Sequence, residues 1–156
     1  MKAAELISSP SAEETEAAGT RLADHLRAGD VVLLEGDLAA GKTTLVRGLL
    51  RGLGGDAEAV SSPSFVLLQT YDCPSGAIGG LHHVDLYRLG ERVADLREIG
   101  IEDVLSDDDA VVAVEWPKNT LATWIPTDAR VWRIAITTND DNTRTIEIIP
   151  PDGQSS

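Results

Sequence analysis

Short unbroken apolar runs alternate along this chain with longer stretches in which apolar residues recur at helical spacing. Val31-Val32-Leu33-Leu34 and Ala110–Val114 carry no polar alternation, the pattern of strands covered on both faces. Ahead of the first run, Ser11-Ala12-Glu13-Glu14 offers a hydroxyl N-cap with a glutamate three residues on. Ala18, Leu22 and Leu26, with Ala23 beside Leu22, then recur at helical spacing, and Gly29 is a natural stop. A second helix is expected from about Lys42 to Leu53, ending at Gly54-Gly55. Ser64–Tyr71 and Gly80–Tyr87 read as strands around a Cys73-Pro74-Ser75-Gly76 turn, and Ala94–Leu105 as a helix interrupted at Gly100. Val131–Thr138 and Thr143–Ile149 flank Asn139-Asp140-Asp141-Asn142, a hairpin signal. The pattern shows neither a repeat nor a linker, so residues 1–150 are expected to form one α/β domain ahead of a polar tail, 151–156.

Composition narrows the class. At 156 residues with 42% apolar content, the chain can bury roughly two-thirds of its unfolded surface. No apolar run reaches the roughly 20 residues that span a bilayer, and the N-terminus lacks the apolar stretch of a secretory signal. Cys73 stands alone, so neither an internal disulfide nor a cysteine metal cluster is available. A cytoplasmic protein without membrane contact is expected. Thirteen Lys and Arg against 26 Asp and Glu give a net charge of −13, which argues against a domain that is primarily a nucleic-acid binder. An anionic ligand would then need a local positive site and a metal ion.

Such a site is written between the first apolar run and the second helix. Gly36-Asp37-Leu38-Ala39-Ala40-Gly41-Lys42-Thr43 matches G-x-x-x-x-G-K-[ST] without a gap. Glycines let the chain fold around an anion with several backbone N–H groups pointing inward. The following helix, beginning at Lys42, Thr43 and Thr44, adds its own N-terminal amides and dipole. Lys42 would neutralise the β- and γ-phosphates of ATP, and Thr43 would place its hydroxyl on Mg²⁺. A strand before the motif and a helix after it are the setting that the motif demands, so the expected architecture is a P-loop NTPase-like three-layer fold with a mixed parallel and antiparallel central sheet.

The GTPase signatures N-K-x-D and D-x-x-G do not occur in the chain. A small-molecule kinase needs a lid of arginines; Arg88, Arg92 and Arg97 could form one, or could be solvated positions paired with Glu91, Asp95 or Glu98. Three further motifs follow the loop in order: Ser62-Pro63-Ser64-Phe65, His83-Val84-Asp85-Leu86-Tyr87-Arg88-Leu89, and Glu115-Trp116-Pro117. Together with Gly36–Arg47 they closely resemble the TsaE family, ATPases of bacterial tRNA threonylcarbamoyladenosine biosynthesis. The resemblance runs from about Ser11 to Ile149. It implies ATP and Mg²⁺ as cofactors, TsaD and TsaB as protein partners, and tRNA contact that is only indirect. It also implies that hydrolysis resets a complex modifying the adenosine beside the anticodon. The sequence departs from the family twice: Ala39 stands where a third glycine is usual, and Ser64 stands where the family has threonine.

Two carboxylates complete the candidate site. Asp85 ends a strand; alone it reads as a turn-capping aspartate, whereas the resemblance places it in the active site. Glu115 ends the most apolar strand, where an unpaired carboxylate is costly to bury. The resemblance makes it a magnesium-associated or water-orienting group. The expected catalytic set is Lys42, Asp85 and Glu115, the metal set Thr43, Glu115 and Asp85, and Ser64 keeps a hydroxyl beside the nucleotide. Mg²⁺ favours few protein oxygens plus phosphates and water, and either carboxylate could orient the attacking water. His82 and His83 should face opposite sides of their strand, with His83 packing or hydrogen bonding near the site. Asp107-Asp108-Asp109 reads as a solvated turn, Trp124 and Trp132 as core, and Thr15 and Val131–Thr138 as weak candidates for contact with the base. The alternatives are a P-loop small-molecule kinase and a nucleotide-regulated binding module that never turns ATP over.

Overall fold

Two apolar runs with no polar alternation need cover on both faces, and the sheet that they seed is sandwiched accordingly. The computed structural model describes residues 3–37, 39–60, 68–87, 93–117 and 119–151, without the side chains of 93–95. Their elements run β1 (Glu5–Ser9), α1 (Ala12–Ala23), β2 (Val31–Gly36), α2 (Lys42–Gly52), β3 (Leu68–Asp72), β4 (Gly80–Asp85), α3 (Val93–Glu98), α4 (Ile101–Leu105), β5 (Ala110–Glu115), β6 (Val131–Thr138) and β7 (Arg144–Ile149), with short 3-10 turns at Ala57–Ala59 and Asn119–Thr123. The strands form one sheet in the order β1-β7-β6-β2-β5-β4-β3. β2 is parallel to both β5 and β6, and β4 is parallel to β5; β1, β7 and β3 join antiparallel at the flanks. The structure thus has the mixed sheet that the sequence predicts.

Alternation along β2 and β5 divides the interior into two cores. Val32, Leu34, Val111 and Ala113 pack with Leu22 of α1 and Leu45, Val46 and Leu49 of α2 on one face. Val31, Leu33, Val112 and Val114 pack with Leu96, Ile101 and Leu105 on the other. Helices α1 and α2 cross closely because Gly48 has no side chain: a Cβ there would lie 1.8 Å from the Glu16 carbonyl oxygen. The contact fixes α2, and with it the end of the Gly36–Thr43 loop, against α1.

The end of β2 opposite the loop is tied by one buried carboxylate. Asp30 Oδ2 accepts from Trp132 Nε1 and from the Arg27 amide, each at 3.0 Å, and Oδ1 accepts from Arg130 Nε at 3.0 Å. Trp132 is a core residue, as predicted, and 1% exposed.

The structure departs locally from the sequence expectations: β4 ends at Asp85, short of Tyr87. Helix α1 stops at Ala23 instead of running past Leu26, because the next amides bond three residues back, Asp24 to Arg21 and His25 to Leu22; Leu26 is buried outside the helix. β1 has no counterpart in the hydrophobic pattern. As an edge strand it turns only Ile7 and Ser9 inward and leaves Leu6 70% exposed, too few apolar positions to show a period. The 3-10 turn at Asn119–Thr123 was likewise unmarked. Leu38, the Ser62–Phe65 motif with Ser64, Arg88, Leu89, Glu91, Arg92 and the tail beyond Pro151 lie outside the described residues. Among the described residues, no helix is long and apolar enough to cross a membrane.

Candidate functional site

The phosphate loop leaves the C-terminal end of β2 and enters α2 at Lys42. The first rung of the helix ladder is Leu45 N–H to the Gly41 carbonyl at 2.9 Å, so the amides of residues 42–44 precede any acceptor within the helix. Among the described residues no side chain caps them, and the first turn holds no acidic residue. Gly41 takes φ 110°, a conformation that glycine adopts without strain. Uncapped amides at the positive end of a helix dipole suit an anion.

Ala39, the departure from the family pattern, has φ 64°. An alanine in this region costs about 1–2 kcal/mol. Arg144 of β7 supports the strained turn: its Nε donates to the Ala40 carbonyl at 3.0 Å and its Nη2 to that of Ala39 at 3.5 Å. Sequence reasoning missed Arg144, because an arginine at the start of a hairpin strand reads as solvated; only its distance of about a hundred positions from the loop is bridged by the fold. Ala39→Gly should therefore leave folding stability unchanged or raise it by up to about 1 kcal/mol, relief of strain outweighing the added freedom of the unfolded chain. A urea-unfolding midpoint clearly below that of the parent would contradict this reading of the turn.

Lys42 is 4% exposed. Its ammonium donates to the Gly36 carbonyl at 2.5 Å and to that of Asp37 at 3.2 Å, and lies 3.5 Å from the centroid of the Trp116 ring. Trp116, at φ 57°, is turned back over the loop and packs on Tyr87, with ring centroids 4.8 Å apart. Here too the structure adds a residue: Trp116 was part of a motif, but its position over the lysine has no sequence signal. Desolvation holds the Lys42 ammonium below the ordinary lysine range, against the attraction of Glu115, Asp85 and Asp37. A lowered folded-state value contributes stability above the unfolded pKa, about 10.4, which is lost as pH falls through the folded one. At neutral pH the charge therefore opposes folding. Lys42→Met, which keeps the buried stem, should melt at the same temperature or about 2–4 °C higher while losing affinity for phosphate groups. A fall in Tm of similar size would show that Lys42 serves the fold.

Glu115 sits at the end of β5, 3% exposed. Its Oε2 accepts from Thr43 Oγ1 at 3.0 Å and pairs with His83 Nε2 at 2.5 Å, while Oε1 lies 3.3 Å from the same hydroxyl. The hydroxyl and carboxylate predicted to share a metal are thus in contact across 72 residues. Asp85 lies beside them, since β4 and β5 pair with Asp85 opposite Glu115. Burial pushes the Asp85 carboxyl above the usual range; the Tyr87 amide, donating to Oδ1 at 3.0 Å, pulls it down, and the Glu115 charge raises it further. Asp85 does cap a turn, and it also faces the cluster.

The two histidines diverge as the strand requires. His83 is 1% exposed and holds Glu115, with its Nδ1 buried and unpartnered among the described residues. His82 bridges Thr70 Oγ1 and Asp107 Oδ2, each at 2.8 Å, away from the cluster. That hydrogen bond holds the Asp107 carboxyl below the usual range, so the acidic turn is partly structural. Arg97 lies over the Trp124 ring, 5.4 Å from its centroid. Among the described residues, no three His, Cys, Asp or Glu side chains gather as a metal site. Thr43 and Glu115 still fit Mg²⁺, which takes one or two protein oxygens when phosphates and waters complete its shell.

A family model described as "Threonylcarbamoyl adenosine biosynthesis protein TsaE" matches residues 9–146. Among similar proteins, a tRNA threonylcarbamoyladenosine biosynthesis protein TsaE from Nostoc sp. is 40% identical over 144 residues, 88% of this chain and 81% of the relative. One of the same name from Streptomyces coelicolor is 48% identical over 99 residues, 63% of this chain and 64% of the relative. The aligned part of the chain thus spans less than two-thirds of the Streptomyces relative's length. The crystal structure of Bacillus subtilus YdiB is similar over 95% of this chain and 86% of that chain, with a TM-score of 0.67 and 29% identity.

Proposed function

The chain belongs to the TsaE family, and from that premise we propose that it binds ATP with Mg²⁺, hydrolyses it slowly, and serves tRNA threonylcarbamoyladenosine formation by acting on a TsaD–TsaB complex. The observation that carries the ATPase reading is the contact of Thr43 with Glu115 at the mouth of an uncapped phosphate loop. Bound Mg²⁺ would neutralise the β- and γ-phosphates, held by the Thr43 hydroxyl and the Glu115 carboxylate, directly or through water. Lys42 would exchange its carbonyl partners for phosphate oxygens, which add anionic partners to Glu115, Asp85 and Asp37 and offset its desolvation. Asp85 lies beside Glu115, and its raised pKa is a trait of groups poised for proton exchange. Catalysis on this reading is positioning and charge neutralisation, as phosphoryl transfer requires. The protein meets its tRNA through TsaD and TsaB, and the net charge of −13 accords with leaving the nucleic acid to a partner.

Reconstitution tests the assignment. Purified TsaD and TsaB with tRNA and a threonylcarbamoyl donor should form modified adenosine over many turnovers only when this chain and ATP are added, as read by mass spectrometry of digested tRNA. Modification that is equally fast without the chain would remove the role. Consumption of ATP driven instead by one hydroxylated metabolite would favour a kinase.

A further inference from the structure

Gly36–Thr44 holds a single cationic side chain, Lys42, and all three of its ammonium donors are engaged within the chain. Two go to loop carbonyls, Gly36 at 2.5 Å and Asp37 at 3.2 Å, and the remaining side of the ammonium faces the Trp116 ring, 3.5 Å from its centroid. The residue is 4% exposed, so a phosphate oxygen reaches the charge only by displacing these partners. Resting on the proposed phosphate site, we propose that Trp116 is an autoinhibitory cap. Its ring holds the Lys42 ammonium in the empty loop and must give it up when phosphates bind.

The backbone places that ring at a cost. Trp116 has φ 57°, where a bulky side chain is an outlier, and such strain persists only where the surroundings over-determine it. Here they do. The Trp116 amide donates to the Leu34 carbonyl at 3.2 Å, and the Leu86 amide to that of Glu115 at 3.0 Å, so the end of β5 is clasped from β2 on one side and from the end of β4 on the other. The left-handed step after Glu115 then turns the indole back over the loop instead of onward from β5.

The three partners of the ammonium do not weigh equally on phosphate binding. Exchanging carbonyl oxygens for phosphate oxygens replaces one hydrogen bond with another. The ring contact is lost outright, so its strength is subtracted from the affinity of the loop for phosphates. The ring also has room to yield: it packs on Tyr87 at 4.8 Å between centroids, and Tyr87 is 48% exposed.

Calorimetric titration of the full chain with Mg²⁺ and two probes, ATP and inorganic tripolyphosphate, tests the cap. Trp116→Leu should bind both about tenfold more tightly than the parent, a difference of 1.4 kcal/mol that lies within the range of a cation–π contact. Trp116→Phe keeps a ring with a weaker face for a cation and should fall between, at about threefold; should the leucine variant not fold, it carries the test alone. A double-mutant cycle of Lys42→Met and Trp116→Leu on urea unfolding needs no ligand, and its two changes should be non-additive. Unchanged or weakened affinity for both probes in folded Trp116 variants would overturn the cap while sparing the phosphate site. Weakening of ATP alone would overturn it too, since the ring would then serve the nucleotide, and additive changes in the cycle would remove the contact on which the cap depends. Absence of binding by the parent and by every variant would remove the phosphate-site reading and the cap together.

Discussion

Glu115→Gln is expected to lower the maximal rate of ATP hydrolysis by at least about 100-fold, the loss typical of removing one preorganised charge-stabilising group, while the protein stays folded. The amide keeps the length and planarity of the side chain but not its charge. Oxygen Oε2 now serves Thr43 and His83 together; an amide turned that way would set one donor against another. The variant should still bind ATP through the loop amides and Lys42, so the defect should appear in the rate more than in affinity. Single-turnover hydrolysis with Mg²⁺, beside a far-UV circular-dichroism spectrum, reads both quantities. Retained turnover in a folded variant would move the water-orienting role to Asp85. His83→Gln offers a graded comparison. It removes the imidazole that orients the carboxylate and spares the charge, so its loss of rate should be smaller.

The second large effect belongs to folding. Asp30→Ala should destabilise the protein by about 3 kcal/mol, the lower end of the range for breaking a buried charged pair from one side. The lower end applies because the Arg130 side chain is 31% exposed and can recover water. Trp132 cannot: the residue is 1% exposed, so its indole N–H would be stranded as an unsatisfied buried donor, while the Arg27 amide would lose its acceptor. Urea unfolding followed by tryptophan fluorescence gives the loss directly. Asp30→Asn should lose less, since its amide oxygen can still accept from one partner. Equal stability of Asp30→Ala and the parent would mean that β6 and the Arg27–Asp30 turn hold without this tie. The groups proposed to bind the nucleotide lie at the opposite end of β2, so ATP hydrolysis by the surviving folded fraction should be normal.

These cases show what the sequence could and could not disclose. Unbroken apolar runs gave β2 and β5 because burial on both faces leaves no room for polar alternation. The turn from β2 into α2 was legible because the G-x-x-x-x-G-K-[ST] motif puts fixed residue types at fixed spacing between a strand and a helix. Glu115 was legible for a related reason: a carboxylate closing an apolar strand needs a partner, and the fold supplies Thr43 and His83. β1 was invisible because an edge strand buries too few residues to show a period. Arg144 and Trp116 were hidden differently. Their significance lies in what they touch, the carbonyls of Ala39 and Ala40 and the ammonium of Lys42, and contacts of that range carry no local signature. The Ala39 departure shows the two levels working together. The sequence marks a residue that resists a positive φ, and the fold shows it in that conformation with an arginine brought across to hold it.

The central claim is that Gly36–Thr44 and Glu115 form a working ATPase, and the most direct test is steady-state hydrolysis of ATP by the purified chain with Mg²⁺, alone and with a TsaD–TsaB complex. A low basal rate that rises with the complex, and that disappears in Lys42→Met and in Glu115→Gln, is the predicted result. Hydrolysis that both variants retain, or no hydrolysis by the parent in either condition, would contradict it.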